Sequence, residues 1–266
     1  MRNLTPAPLR ERDITRHIAR EYFKEFDQLI ESDVIIVGAG PSGLLCAHDL
    51  AKVGYRTLLI EQSLALGGGF WSGGYLMNKA TLCHPAHEIL EALGIPHKPI
   101  KECEGMTIVD PPHATARLIA AAYDAGVKVL NLTKVVDLIL RQDRNLEGVV
   151  VNNATVEMAG HDHIHVDPIA LESKVVVDAT GHDAVVVDLL HRRNLVATVP
   201  GNGAMWVARS EAMVVDNTRE IYPNCFVAGL AVAAVDGSPR MGPAFGSMLL
   251  SGRRAAELVH AKFKDA

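Results

Sequence analysis

The chain predicts an α/β fold, a parallel sheet with helices on its faces and a smaller inserted β layer, and three observations carry that prediction. The first is a strand, a glycine turn, a helix and a second strand in succession, from Asp33 through Gly38-Ala-Gly40-Pro-Ser-Gly43 to Thr57-Leu-Leu-Ile-Glu61. The second is the return to buried β-branched strands late in the chain, at Ser173 to Asp178 and from Cys225 to Ala231. The third is a run of short strand-like segments between 127 and 158, which suggests a smaller sheet layered on the first. Together they describe a Rossmann-like, dinucleotide-binding fold of the flavoprotein type, with residues 1–266 as a single α/β domain that opens on a helix.

Val34 to Val37 suits a buried parallel strand, because such strands are covered on both faces. Gly38, Gly40 and Gly43 then serve the tight turn, the close approach of backbone to a pyrophosphate, and helix–strand contact. An anion fits at the following helix N-terminus, where free N–H groups and the helix dipole converge. Glu61 closes the second strand at the spacing where a carboxylate accepts hydrogen bonds from ribose hydroxyls. An acid there favours NAD or FAD over NADP, whose 2′-phosphate calls for an arginine.

Composition narrows the classes. With 266 residues, 48% of them hydrophobic, the chain buries a full core but is short for two complete domains. A net charge of −5 without a Lys/Arg block gives no electrostatic case for nucleic acid. No apolar stretch reaches the length of a membrane span, and Met1-Arg-Asn-Leu-Thr-Pro lacks an apolar signal core, so a cytoplasmic protein is expected. Cys46, Cys83, Cys103 and Cys225 are dispersed without a C-x-x-C pair, which suggests neither disulfides nor a thiolate zinc site.

Taken in order, residues 12–30 place apolar groups at three- and four-residue spacing, an amphipathic helix whose face covers either its own domain or another subunit. Gly67-Gly-Gly-Phe-Trp-Ser-Gly73-Gly74 is either a flexible loop or a second place where backbone meets ligand. Residues 85–94 read as a helix stopped by Gly94 and Pro96, and 110–126 as another. Strands follow at 127–132 and 135–140, then a pair near Gly148-Val-Val-Val and Ala154-Thr-Val-Glu-Met. Arg240-Met-Gly242-Pro-Ala-Phe-Gly246 opens the last helix, with N–H groups that can meet an anion or with glycines for close packing.

His161-Asp-His163-Ile-His165-Val-Asp167-Pro is the most unusual polar stretch. If extended, its imidazoles and Asp167 share one face, since strand side chains alternate. His182 follows a strand end, where ligands of open α/β sheets bind. Imidazole with carboxylate suits Fe(II), Mn(II) or Zn(II); a solvated His/Asp loop is the plainer alternative.

The Gly38 turn with Glu61-Gln62, the Gly67-Gly-Gly-Phe-Trp loop, His165-Val-Asp167-Pro, Ala179-Thr-Gly-His182-Asp and Pro239-Arg240-Met-Gly-Pro-Ala-Phe-Gly together resemble the thiamine thiazole synthase family (Thi4) over nearly the whole chain. That resemblance implies an iron-dependent enzyme that builds an ADP-linked thiazole carboxylate from NAD, glycine and a sulfur source. It implies that Ser42, Glu61, Gln62, Gly69, Val135 and Leu230 contact the adenosine diphosphate part. It makes Asp167 and His182 the Fe(II) ligands, Asp167 reaching the site of a neighbouring subunit of a homo-oligomer, an octamer. Arg240 becomes the partner of the glycine carboxylate, a role its planar fork fits. Fungal and plant relatives carry a sulfur-donating cysteine two residues before the Asp-Pro aspartate; here His165 stands there, which implies external sulfide, multiple turnover and a place for His165 in moving sulfide or a proton.

An FAD-dependent oxidoreductase fits the same fingerprint, although Leu230 follows the late Gly229 where many flavoproteins carry an acid. A non-catalytic NAD-binding sensor fits it too.

Overall fold

Helix α1 (Glu11–Leu29) leads into strand β1 (Glu31–Val37), and β1 passes through the glycine turn into α2 (Pro41–Lys52) and β2 (Thr57–Ile60). The structure is a computed structural model that describes residues 6–141, 144–159, 166–199 and 202–265. Next come β3 (Ala80–Cys83), α3 (His87–Ala92), β4 (His97–Pro99) and β5 (Met106–Val109); α4 (Pro111–Asp124) then returns the chain to β6 (Lys128–Leu130). An antiparallel ribbon, β7 (Thr133–Leu140) and β8 (Leu146–Asn153), is followed by α5 (Ala154–Ala159), β9 (Ile169–Asp178) and α6 (Val185–His191). The remainder is β10 (Gly203–Met205), α7 (Val207–Asp216), β11 (Arg219–Tyr222), β12 (Cys225–Val227), α8 (Leu230–Asp236), β13 (Pro239–Arg240) and α9 (Gly246–Asp265).

The main sheet runs β11-β12-β9-β1-β2-β6, with only β11 antiparallel to its neighbour along this path. Alternate residues of β1 divide the core between the two faces. Val34 and Ile36 pack with α2, α4 and α9, while Ile35 and Val37 pack with Val135, Leu138 and Val149 of the ribbon and Val186 and Leu190 of α6. Burial on both faces is why the strand reads as an unbroken apolar run.

The layer expected between 127 and 158 exists as the β7–β8 ribbon, folded over one face of the sheet. It hangs on β9, whose early residues pair with β8 (Gly148 opposite Glu172) and whose later ones pair with β12 (Val176 opposite Cys225). A separate antiparallel sheet, β3-β5-β4, escaped the sequence because its strands are too short to show a period.

Three expectations need correction. Ala154 to Met158 is helical, not a strand: the Asn153 side chain accepts from the backbone N–H and hydroxyl of Thr155, starting a helix. The last helix begins at Gly246, and Arg240 lies in β13 before it. The final core strand stops at Val227, because Gly229 at φ 65° turns the chain into α8. The apolar face of α1 stays largely uncovered within the chain, with Ile18 66% and Phe23 67% exposed. No helix among the described residues is long and apolar enough to cross a membrane.

Candidate active site

A cavity of 490 Å³ opens where the carboxyl ends of β1, β2 and β9 meet the ribbon. The three glycines that bound it in sequence do different things. A Cβ on Gly38, at φ +97°, would fall 2.5 Å from the Ala179 carbonyl oxygen, and one on Gly43 would fall 1.9 Å from the Gly38 carbonyl oxygen. Those two hold turn against turn and helix against turn. A Cβ on Gly40 would meet nothing within 4 Å, so this glycine keeps space open in front of the α2 N-terminus. Gly38, Gly40 and Ser42 line the cavity, whereas Gly43 lies behind it.

Glu61 is 8% exposed and lines the same wall. One carboxylate oxygen accepts the Ala39 N–H at 2.9 Å and the other the Ser63 N–H at 2.8 Å. Each oxygen has a second lone pair left, so Glu61 can hold the glycine turn and a ligand hydroxyl together. Gln62, Gly69, Val135 and Leu230 also line the cavity.

The opposite wall follows β9. His182 is exposed there on a short turn, with Thr180, Gly181 and Asp183 beside it. Its Nδ1 lies 3.4 Å from Nδ2 of Asn202, whose Oδ1 is buried without a hydrogen-bond partner among the described residues. That contact occupies Nδ1 and leaves Nε2 as the nitrogen to meet a ligand.

The other expected residues are not on this wall. Asp167 is exposed just ahead of β9, whose ten residues span about 30 Å, so it stands at the far end of the strand from His182. Arg240 is exposed on β13 and does not line the cavity. His165, with His161 and His163, lies outside the described residues. The N-terminus of α9 already has an anion of its own, since the Ser247 N–H points to Glu211 Oε1 at 3.4 Å. Among the described residues no three His, Cys, Asp or Glu side chains gather as a metal-binding group.

Sequence reasoning passed over Lys134, Thr180 and Asp183 of the lining. The signal for the last two was present in the Thr-Gly-His-Asp turn after a buried strand; Lys134 had none. Cys46 and Cys225 are buried, which pushes both thiols up, and Cys83, raised by burial and then by Glu211, sits at about 11. None of the four cysteines lines the cavity.

Fold and cleft define a Rossmann-type α/β protein with its ligand cavity at the carboxyl edge of a parallel sheet. A model of the Thi4 family matches residues 15–245. Thiamine thiazole synthase of Pyrococcus horikoshii is 42% identical over 257 residues, covering 97% of this chain and all of that one, and the enzyme of that name from Aeropyrum pernix is 46% identical over 96% of this chain and 93% of its own. The crystal structure of Thermovibrio ammonificans THI4 superposes with a TM-score of 0.92 at 37% identity, covering 97% of this chain and 100% of that one. The chain belongs to the Thi4 family.

Proposed function

We propose that this enzyme of thiazole biosynthesis assembles an ADP-linked thiazole carboxylate from NAD, glycine and sulfide, and that it does so over many turnovers in a reducing cytoplasm. Family membership and the relatives' shared name support the thiazole product. The observation that carries the substrate assignment is that one cavity is lined by Gly40, Glu61, Gln62 and His182. The α2 N-terminus and Ser42 take the diphosphate, Glu61 and Gln62 the adenosine ribose, and Gly69, Val135 and Leu230 flank them. Hydrolysis of the glycosidic bond releases nicotinamide, and opening of the ribose ring exposes an aldehyde that condenses with the glycine amine and expels water. Arg240, outside the lining on β13 but paired through β10 with the segment that follows Asn202 at His182, holds the glycine carboxylate; sulfide supplies the sulfur, and the ring closes.

The donor set fits Fe(II), which an imidazole and a carboxylate bind with open positions left. His182 and Asp167 stand too far apart along β9 to hold one ion within a chain, so Asp167 of one copy serves His182 of another. The uncovered face of α1 is consistent with such a homo-oligomer. Bound Fe(II) supplies a template with room for sulfide. His165, where the resemblance places the donor cysteine of fungal and plant members, positions hydrosulfide or carries a proton. The burial of Cys46 and Cys225, and the absence of all four cysteines from the lining, favour an external sulfur source.

Under anoxia with NAD, glycine, Fe(II) and sulfide, product should exceed enzyme on a molar basis while the protein mass stays constant. A yield capped at one product per chain, with loss of sulfur from a cysteine, would overturn the external donor. Bound flavin absorbing in the visible would overturn the substrate assignment.

A further inference from the structure

Asp178, the last residue of β9, is a fully buried carboxylate outside the cavity lining. Its Oδ1 accepts the Thr180 N–H at 3.0 Å and the Thr180 hydroxyl at 2.7 Å, and its Oδ2 accepts the Val187 N–H at 2.9 Å. The Thr180 oxygen accepts in turn from the Val185 N–H at 2.7 Å. Helix α6 therefore has its first N–H groups satisfied from the strand, because its own N-cap, Ala184, has no capping side chain and sits at φ 40° in the left-handed region.

Burying a charge to cap so short a helix is costly, and burial raises the Asp178 carboxyl above its ordinary range. A serine or threonine at the cap would satisfy the helix alone. What the carboxylate adds is closure: it grips the turn at Thr180, before His182, and again at Val187, after it. The residues between these grips include Gly181, His182 and Asp183, all of which face the cavity.

We propose that Asp178, acting through Thr180, is the positioning residue that fixes the His182 imidazole in the cavity for a metal ion. This rests on His182 being a metal ligand. Such outer-shell partners hold a ligating ring in orientation, and their loss commonly weakens metal binding about 10–100-fold.

The test titrates the intact protein with Co(II) under anoxia, titrates it with NAD, and follows the His182 ring protons by NMR without metal. Asp178→Asn, which turns an NH₂ toward the Val187 N–H, and Thr180→Val, which removes the hydroxyl, should each weaken Co(II) binding about tenfold or more. Both should broaden or split the His182 signals and weaken Co(II) binding by a larger factor than NAD binding, since Thr180 itself lines the cavity. Thr180→Ser keeps the hydroxyl and should restore both readouts. If Asp178→Asn fails to fold, Thr180→Val decides, since it retains the bonds from Asp178 to the Thr180 and Val187 N–H groups. Parental Co(II) affinity and a parental ring spectrum in Thr180→Val, with Co(II) binding lost in His182→Ala, would overturn the positioning role alone. Parental Co(II) affinity in His182→Ala would overturn the metal-ligand role of His182 and this proposal with it.

Discussion

At the amino edge of the parallel sheet, Asp33 is held by one backbone N–H and by two side-chain cations near water. It accepts the Arg56 backbone N–H at 2.9 Å and pairs with Lys174 at 3.0 Å and with the Arg56 guanidinium at 3.5 Å. At the carboxyl edge, Glu61 and Asp178 are buried, and each binds two backbone N–H groups: Glu61 those of Ala39 and Ser63 in the turns after β1 and β2, Asp178 those of Thr180 in its own turn and Val187 in α6. A lysine on a flexible stem can re-form its pairing after a movement; a backbone N–H in a packed turn cannot. The amino edge therefore tolerates loss of a charge, and the carboxyl edge uses charge to keep the cavity walls in register.

Strand β9 touches both edges, with Asp167 beyond one and His182 beyond the other, and the largest expected effects lie there. Asp167→Ala and His182→Ala should each lose bound Fe(II) and reduce thiazole formation about a hundredfold or more. Mixed assemblies of the two variants should recover about a quarter of the parental sites, because random pairing joins an intact His182 to an intact Asp167 that often. Mixtures as inactive as the separate variants would show that the two ends of β9 do not serve one site.

Within the carboxyl edge, Gly43→Ala and Gly40→Ala separate structural from ligand-facing backbone. The first puts a methyl 1.9 Å from the Gly38 oxygen and should destabilise the fold by about 3 kcal/mol or more. The second meets open space and should leave thermal unfolding nearly unchanged while weakening NAD binding. A stable Gly43→Ala beside an unfolded Gly40→Ala would reverse the roles assigned to them. Glu61→Ala should weaken NAD binding by about 1.5–3 kcal/mol, since charged hydrogen bonds leave a desolvated wall. Calorimetry that finds parental affinity in the folded variant would take Glu61 out of the site.

Much of the carboxyl edge was legible because its demands are local. Gly38, Gly40 and Glu61 lie on one βαβ unit, where turn geometry, helix start and strand end follow each other in sequence. The Asp178 grip was not legible: it joins β9 to Val187 across a turn, and an aspartate after three valines gives no hint of it. Ala154 to Met158 misled because Ala, Val and Met at alternate positions fit a strand as well as a short helix, and Asn153 was the deciding signal. The separation of Asp167 from His182 was legible in part: a strand was expected between them and the resemblance gave Asp167 to a neighbouring subunit, but that the strand starts as early as Ile169 and so spans the sheet was not, because Ile169 to Glu172 carry no buried apolar run.

The smallest expected effect tests the amino edge by pH. Burial alone would raise the Asp33 carboxyl, but the Arg56 N–H, Lys174 and the Arg56 guanidinium outweigh it and hold it below its ordinary value of 3.8. Between those two values the folded chain binds fewer protons at Asp33 than the unfolded chain does, so stability rises with pH there. The contribution is complete above the ordinary carboxylate value and is lost as pH falls through the lowered one. Asp178 has the opposite sign: burial raises it, the folded chain holds the proton longer, and stability falls as pH rises through the interval above 3.8. Asp33→Asn should therefore cost less than about 1 kcal/mol at pH 7, as a partly exposed ion pair does, and should flatten the acid limb of urea midpoints measured against pH. The same plot for Asp178→Asn should lose the fall in stability above the ordinary carboxylate value and keep the acid limb. Equal acid limbs in Asp33→Asn and the parent would mean that Lys174 and Arg56 hold nothing at this edge, and the contrast between the two edges would reduce to burial alone.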